Sequence, residues 1–219
     1  MNGKLHIIWD MDGTLVDSGP EVYATIEKCL AQVGVSMSDA IRPLRIGPPV
    51  KEIMRASFTE EVLTDELLYK AVAAFRNIYD SSEYEATIPF DGIDELLHNT
   101  DYIHHIITNK PDLPTNKILN MKGWSKCILD VLTPNTHEKE TGRALKKQEL
   151  FQRFKSEHAI DRMVGIGDMS TDALYAHSIG IPAIGVLWGA GTKEELVGAK
   201  CDYIVKDIAE LNSILNNYK

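Results

Sequence analysis

Leu5-His6-Ile7-Ile8-Trp9-Asp10-Met11-Asp12-Gly13-Thr14 opens the chain with a short apolar run that ends in two acids and a glycine. Such a run suits a strand covered on both faces, because a strand with no wet side has no reason to alternate apolar and polar residues. Similar runs recur at 102–108, 127–132, 163–166, 181–187 and 203–205. Between them lie stretches with helical character, at 92–99, 113–121, 147–154, 170–178, 192–199 and 208–216. Strands alternating with helices predict parallel pairing, since each parallel connection needs a crossover. The expected fold class is therefore α/β: a Rossmann-like three-layer parallel sheet core.

One interval breaks the alternation. Between Ser18 and Tyr84 no strand-like run occurs and the periodicity is helical. Val22, Ile26, Leu30 and Val33 share one face, with Pro20 suited to a first helical turn and Gly34 to the end. Two further amphipathic stretches follow at 50–58 and 64–79. The expected organisation is a core of residues 1–16 and 87–219 with an α-helical subdomain, 17–86, inserted into it. Two crossings of the chain, near Asp17 and Thr87, suit a hinge.

Composition narrows the partners. With 219 residues, 44% of them hydrophobic, the chain has enough material for a sizeable core. Its 32 acids outnumber 23 Lys and Arg, for a net charge of -9, the opposite of what a phosphate backbone or an anionic membrane surface attracts. Cys29, Cys127 and Cys201 are widely spaced, with no CxxC pair, and read as reduced thiols. The N-terminal apolar run is too short for a signal peptide, and the stretch 179–188 is broken by Gly180, Pro182 and Gly185. The expectation is a cytoplasmic protein, monomer or homodimer, with no nucleic-acid or membrane partner.

The chemistry-bearing residues gather at strand ends, where ligands bind in open α/β sheets. Asp10 and Asp12 leave the first strand together, a costly pairing unless a cation or a proton relieves it. The pair suits phosphoryl transfer, with one carboxylate attacking phosphorus and the other exchanging a proton with the leaving group and water. Gly13 and Thr14 are expected to turn the chain and leave amides exposed for phosphate oxygens. After the second strand, Thr108 and Asn109 offer a hydroxyl and an amide to a phosphate. After the fourth, Asp168 and Asp172 form another acidic pair. Asp10, the Asp12 carbonyl and Asp168 would give Mg2+ a set of hard oxygen ligands.

WDMDGTLVDS (9–18), ITNKP (107–111) and GIGDMSTDALYAHSIG (165–180) together resemble the haloacid dehalogenase superfamily, in its phosphoglycolate phosphatase-like branch with a helical cap. The likeness spans nearly the whole chain, including Ile46-Gly47-Pro48-Pro49 and the stretch from Gly185 to Gly189. It implies that Asp10 is the nucleophile and Asp12 the general acid/base. Because the dehalogenases proper lack the second aspartate, Asp12 points to phosphate esters. By the same resemblance Thr108, with Asn109 beside it, binds phosphate, and Asp168 ligates Mg2+. Asp172 binds metal through water or orients the loop. The third motif, a lysine, departs from the usual Lys-Pro pair. Lys147, at the start of Lys-x-Glu-Leu-Phe, is the favoured candidate and Lys146 the alternative.

The implied activity is Mg2+-dependent hydrolysis of a small phosphorylated metabolite, such as phosphoglycolate, a sugar phosphate or a nucleotide. A phosphomutase of the β-phosphoglucomutase type and a catalytically weak binding protein are the rivals. Other residues read more plainly. His104 and His105 are expected as core imidazoles, Trp188 as core, Arg42, Arg45 and Lys51 as a solvated face of the insertion, and Lys110 as projecting toward that insertion.

Overall fold

The computed structural model describes residues 3–218. The chain divides into two compact units, one of residues 1–17 and 89–219 and one of residues 18–88.

The larger unit is built on a six-stranded sheet of β1 (Leu5–Trp9), β4 (Tyr102–Ile107), β5 (Ile128–Leu132), β6 (Met163–Gly167), β7 (Ala183–Val186) and β8 (Tyr203–Val205), in the order β5-β4-β1-β6-β7-β8. The chain leaves this unit through the two-residue strand β2 (Val16–Asp17) and returns through β3 (Ile88–Pro89). All pairings in the large sheet are parallel; Trp9 stands opposite Ile106 on one side and Ile166 on the other. The expected α/β class is present. The strand order reverses between β1 and β6, and that switch point is where a doubly wound sheet opens a crevice for ligands.

The helices of this unit are α4 (Ile93–Leu97), α5 (Asp112–Met121), α6 (Glu138–Thr141), α7 (Lys147–Glu157), α8 (Ser170–Ser178), α9 (Lys193–Gly198) and α10 (Ile208–Asn217). Every residue of β1 is buried, as a central strand flanked by helices requires. Ile8, Ile107 and Met163 of the sheet pack with Leu150, Phe151 and Phe154 of α7 and Ala173 and Ala176 of α8. Gly165 lets α8 approach closely: a Cβ there would stand 2.7 Å from that of Ala176. The expected strand at 127 begins one residue later, because the Cys127 N–H is spent on the Trp124 carbonyl in a tight turn. The expected strand at 181–187 shortens at its start, where Pro182 has no N–H to give a ladder.

The smaller unit contains α1 (Gly19–Gln32), α2 (Val50–Ser57) and α3 (Asp65–Asp80). Pro20 lies in the first turn of α1, and Gly34 adopts φ 77° just past its end. Val22, Ile26 and Leu30 of α1 are buried, as are Leu68, Ala71, Phe75 and Tyr79 of α3. Thr64 caps α3 by accepting the Leu67 N–H. Glu21 accepts the Ser82 hydroxyl and the Ala86 N–H, tying the last segment of this unit back to its first helix.

Candidate active site

The carboxyl ends of β1 and β6 adjoin at the switch point, and the acids that follow them converge. Asp10 continues the ladder, its N–H donating to the Ile166 carbonyl at 2.9 Å. Its carboxylate is buried, and one oxygen each from Asp10, Asp168 and Asp172 lie within 4.8 Å of one another.

Lys147, the first residue of α7, brings a single ammonium into this group. Its Nζ lies 2.6 Å from Asp10 Oδ1 and 2.6 Å from Asp172 Oδ1, and the residue is only 4% exposed. Lys146 is exposed. Between the two candidate lysines, the geometry selects Lys147. The second oxygen of Asp172 accepts the Met169 N–H at 3.0 Å, so both its oxygens are engaged in holding Lys147 and the head of α8.

Asp168 is fully buried and gripped from two loops. Its Oδ2 accepts the Ala190 N–H at 2.7 Å, and the Thr14 hydroxyl reaches Oδ1 at 3.4 Å. The wrapping is close. A Cβ on Gly13 would stand 2.4 Å from Asp168 Oδ2, one on Gly189 2.3 Å from the Gly13 carbonyl oxygen, and one on Gly191 1.7 Å from the Asp168 carbonyl oxygen. The Trp188 indole N–H donates to the Thr14 carbonyl at 3.0 Å, fastening the 188–191 loop to the turn after β1. Trp188 is thus half-buried beside the site rather than in the core.

That turn corrects one expectation. The Gly13 N–H donates to the Val16 carbonyl at 2.9 Å and the Thr14 N–H to the Met11 carbonyl at 3.3 Å, so both amides are spent within the turn. Gly13 contributes φ 81° and the absence of a side chain against Asp168, not an exposed amide.

Asp12 stands apart from the three converging carboxylates. Its Oδ1 lies 3.0 Å from Lys110 Nζ, and the Lys110 side chain is 4% exposed. Lys110 thus pairs with an acid of its own unit. Thr108, also buried, accepts the Lys110 N–H on its hydroxyl at 3.1 Å, and Asn109 is half-buried beside it.

The electrostatics follow from three buried carboxylates facing one ammonium. Burial pushes the Asp10 carboxyl up to about 8 against the pull of Lys147, with Asp172 and Asp168 adding to the rise. Burial, then the Asp172 charge, raises Asp168 to about 7. For Lys147, burial disfavours the ammonium, but Asp10 and Asp172 outweigh it and the group is held above the ordinary lysine range. An all-oxygen donor set with uncompensated negative charge fits a hard divalent cation such as Mg2+.

Residues 7–186 match the haloacid dehalogenase-like hydrolase family. The chain belongs to that family. The expected enzyme class, a haloacid dehalogenase-like phosphatase, stands. This hydrolase is 25% identical to a 5'-nucleotidase of Pseudomonas aeruginosa, over 97% of this chain and 96% of that one. It is 22% identical to a phosphoglycolate phosphatase of Vibrio cholerae, over 95% and 96%. A haloacid dehalogenase-like hydrolase of Streptococcus pneumoniae superposes with a TM-score of 0.81 at 21% identity, covering 98% and 99% of the two chains. The last likeness concerns the fold.

Several site residues were not legible in the motifs. Lys110 reads as an ordinary cation after Thr-Asn. Gly191 and the Ala190 amide act through backbone approach, which has no side-chain signature. Thr14 reads as a turn residue, and only the fold aims its hydroxyl at Asp168.

Proposed function

We propose that the protein is a Mg2+-dependent phosphatase that hydrolyses a small phosphate monoester through an aspartyl phosphate on Asp10. The observation that supports this most is the pairing of Asp10 with Lys147 amid converging acids, with Asp12 two residues on and held separately by Lys110.

Asp10 and Asp168, with the Asp12 carbonyl, would hold Mg2+, while Asp172 keeps Lys147 in place. When bound, the ion would offset the negative charge shared by the phosphoryl group and the nucleophile. The Lys147 ammonium keeps one Asp10 oxygen oriented and draws a phosphate oxygen toward it. An Asp10 oxygen attacks phosphorus, the bond from phosphorus to the ester oxygen breaks, and Asp12 gives that oxygen its proton. Water then attacks phosphorus, Asp12 takes the water's proton, and the bond to Asp10 breaks. The Thr108 hydroxyl accepts from the Lys110 N–H, which leaves its own O–H to donate to a phosphate oxygen. Asn109 supplies an amide beside it.

The names of the relatives support phosphoglycolate-like compounds and nucleotides as substrate classes, with sugar phosphates beside them. The inserted helical unit, residues 17–86, would act as the cap that reads the leaving group. No helix among the described residues is long and apolar enough to cross a membrane. We place the protein in the cytoplasm, as a monomer or homodimer acting on a small phosphorylated metabolite.

The test is phosphate release from a panel of phosphorylated metabolites, with and without Mg2+, by the native protein and by Asp10→Asn. Mg2+-dependent release that disappears in the variant is expected. An Asp10→Asn protein with native turnover would remove the nucleophile. Conversion of glucose 1-phosphate to its isomer without free phosphate would make the enzyme a mutase, and no turnover of any ester would make it a binding protein.

A further inference from the structure

Each of the two aspartates after β1 has its own lysine. Lys147 serves Asp10, and Lys110 stands against Asp12 from the opposite side of the strand order, on the segment that follows β4. Lys110 is firmly placed. Its N–H donates to the Thr108 hydroxyl at 3.1 Å, its carbonyl accepts the Thr115 hydroxyl at 3.3 Å from within α5, and its side chain is 4% exposed. The burial matters because an exposed pair would hold little, whereas an ammonium kept from water does not exchange its partner for solvent at small cost.

From this geometry we infer that Lys110 is a positioning residue for proton transfer: it holds the Asp12 carboxylate in place for exchange of a proton with the ester oxygen and then with water. The inference rests on Asp12 as the general acid/base. A carboxylate held by a buried ammonium loses rotational freedom about its side-chain torsions, and a proton donor must lie within hydrogen-bond reach of its acceptor to act in the transition state. The phosphoryl group itself is served by Lys147. Removing Lys110 should therefore impair protonation of the leaving group more than attack on phosphorus.

That separation can be read from the leaving group. p-Nitrophenolate departs without help from a proton, while an alkoxide such as that of glycerol phosphate or phosphoglycolate does not. Values of kcat/KM report the steps through leaving-group departure. Lys110→Met, which keeps the length of the side chain and removes its charge, is compared with the native protein on p-nitrophenyl phosphate and on an alkyl phosphate. The expected result is a loss on the alkyl ester at least about tenfold greater than on the aryl ester, within the roughly 10²- to 10⁴-fold range of general acid catalysis. Lys110→Arg should restore part of the alkyl activity.

Equal losses on both esters would overturn the inference, leaving Lys110 as a structural or substrate-binding group. So would unchanged kinetics. Asp12→Asn serves as the reference: it should show the same preference for the aryl ester more strongly. If Asp12→Asn falls equally on both, the general acid reading fails. If Asp12→Asn discriminates and Lys110→Met does not, the failure is that of Lys110 alone. A Lys110→Met protein that does not fold is replaced by Lys110→Gln, judged by the same ratio.

Discussion

Lys147 and Lys146 are adjacent and chemically identical, yet one is buried against two carboxylates and the other faces solvent. A helix start places successive side chains roughly 100° apart, so only one of two neighbours can face the sheet. Nothing in the local composition distinguishes them. Lys147→Ala should lower kcat/KM by on the order of 10²- to 10³-fold, the scale of losing an electrostatic contact to a transferring group, while Lys146→Ala should stay near native. Steady-state assays of the two variants decide it, and a full loss in Lys146→Ala would reverse the assignment. Lys110 repeats the lesson. Its spacing from Thr108 is visible in the chain, but its partner is a residue from another strand end.

The 188–191 loop after β7 belongs to the same site although it carries no acid or base. It supplies the Ala190 N–H to Asp168, the Trp188 indole to Thr14, and two glycines whose missing side chains permit both contacts. Gly191→Ala would drive a methyl group against the Asp168 carbonyl. Overpacking of this kind costs about 1–3 kcal/mol, and the loop must retreat from Asp168. Activity should fall at least about tenfold as Asp168 loses its grip, with a lower melting temperature. Kinetics and thermal melts of Gly191→Ala check both, and a variant with native turnover would show that the loop does not hold Asp168. The turn from Met11 to Val16 is the complementary case. The Asp-x-Asp-Gly motif announced a tight turn, and the turn is there; its amides close on the turn itself because three of them share the Met11 carbonyl.

Buried histidines make the stability of the whole molecule sensitive to pH. His6 Nδ1 lies 2.8 Å from His105 Nε2, and His105 Nδ1 lies 2.8 Å from Asp130 Oδ2, an oxygen 3.4 Å from His158. On β4, His104 accepts the Trp9 indole N–H at 3.1 Å. Both core imidazoles were expected, and the aromatic and aliphatic packing around them explains why they stay neutral. Burial lowers His104 to about 4, and burial lowers His105 to about 4 despite the Asp130 charge. The unfolded chain, with imidazoles near 6.5, binds more protons than the folded one as pH falls through that window. Stability from these groups is present above about 6.5 and is lost toward pH 4, by about 3 kcal/mol for His104 alone. Asp10 and Asp168 run the other way, since burial raises them to about 8 and about 7 and their protonation favours the fold as pH falls. The quantity to measure is thus the difference in unfolding free energy between the native protein and His104→Gln, by denaturant titration at several pH values. The native protein should lose stability relative to the variant from pH 6.5 to 4, and a constant difference would refute the assignment.

By itself the amino-acid sequence determined the class of fold, the helical character of the 18–84 segment and the family, because buried strands, amphipathic helices and short motifs each leave a local periodicity or spacing. Asp10, Asp12, Thr108 and Asp168 were legible for the same reason: strand ends carry them, and strand ends can be read. What the tertiary structure decided was which of these groups meet. The choice of Lys147, the pairing of Lys110 with Asp12, the closure of the 188–191 loop on Asp168 and the spent amides of Gly13 and Thr14 depend on contacts between segments far apart in the chain. Those contacts are set by sheet order and packing, and no local pattern encodes them.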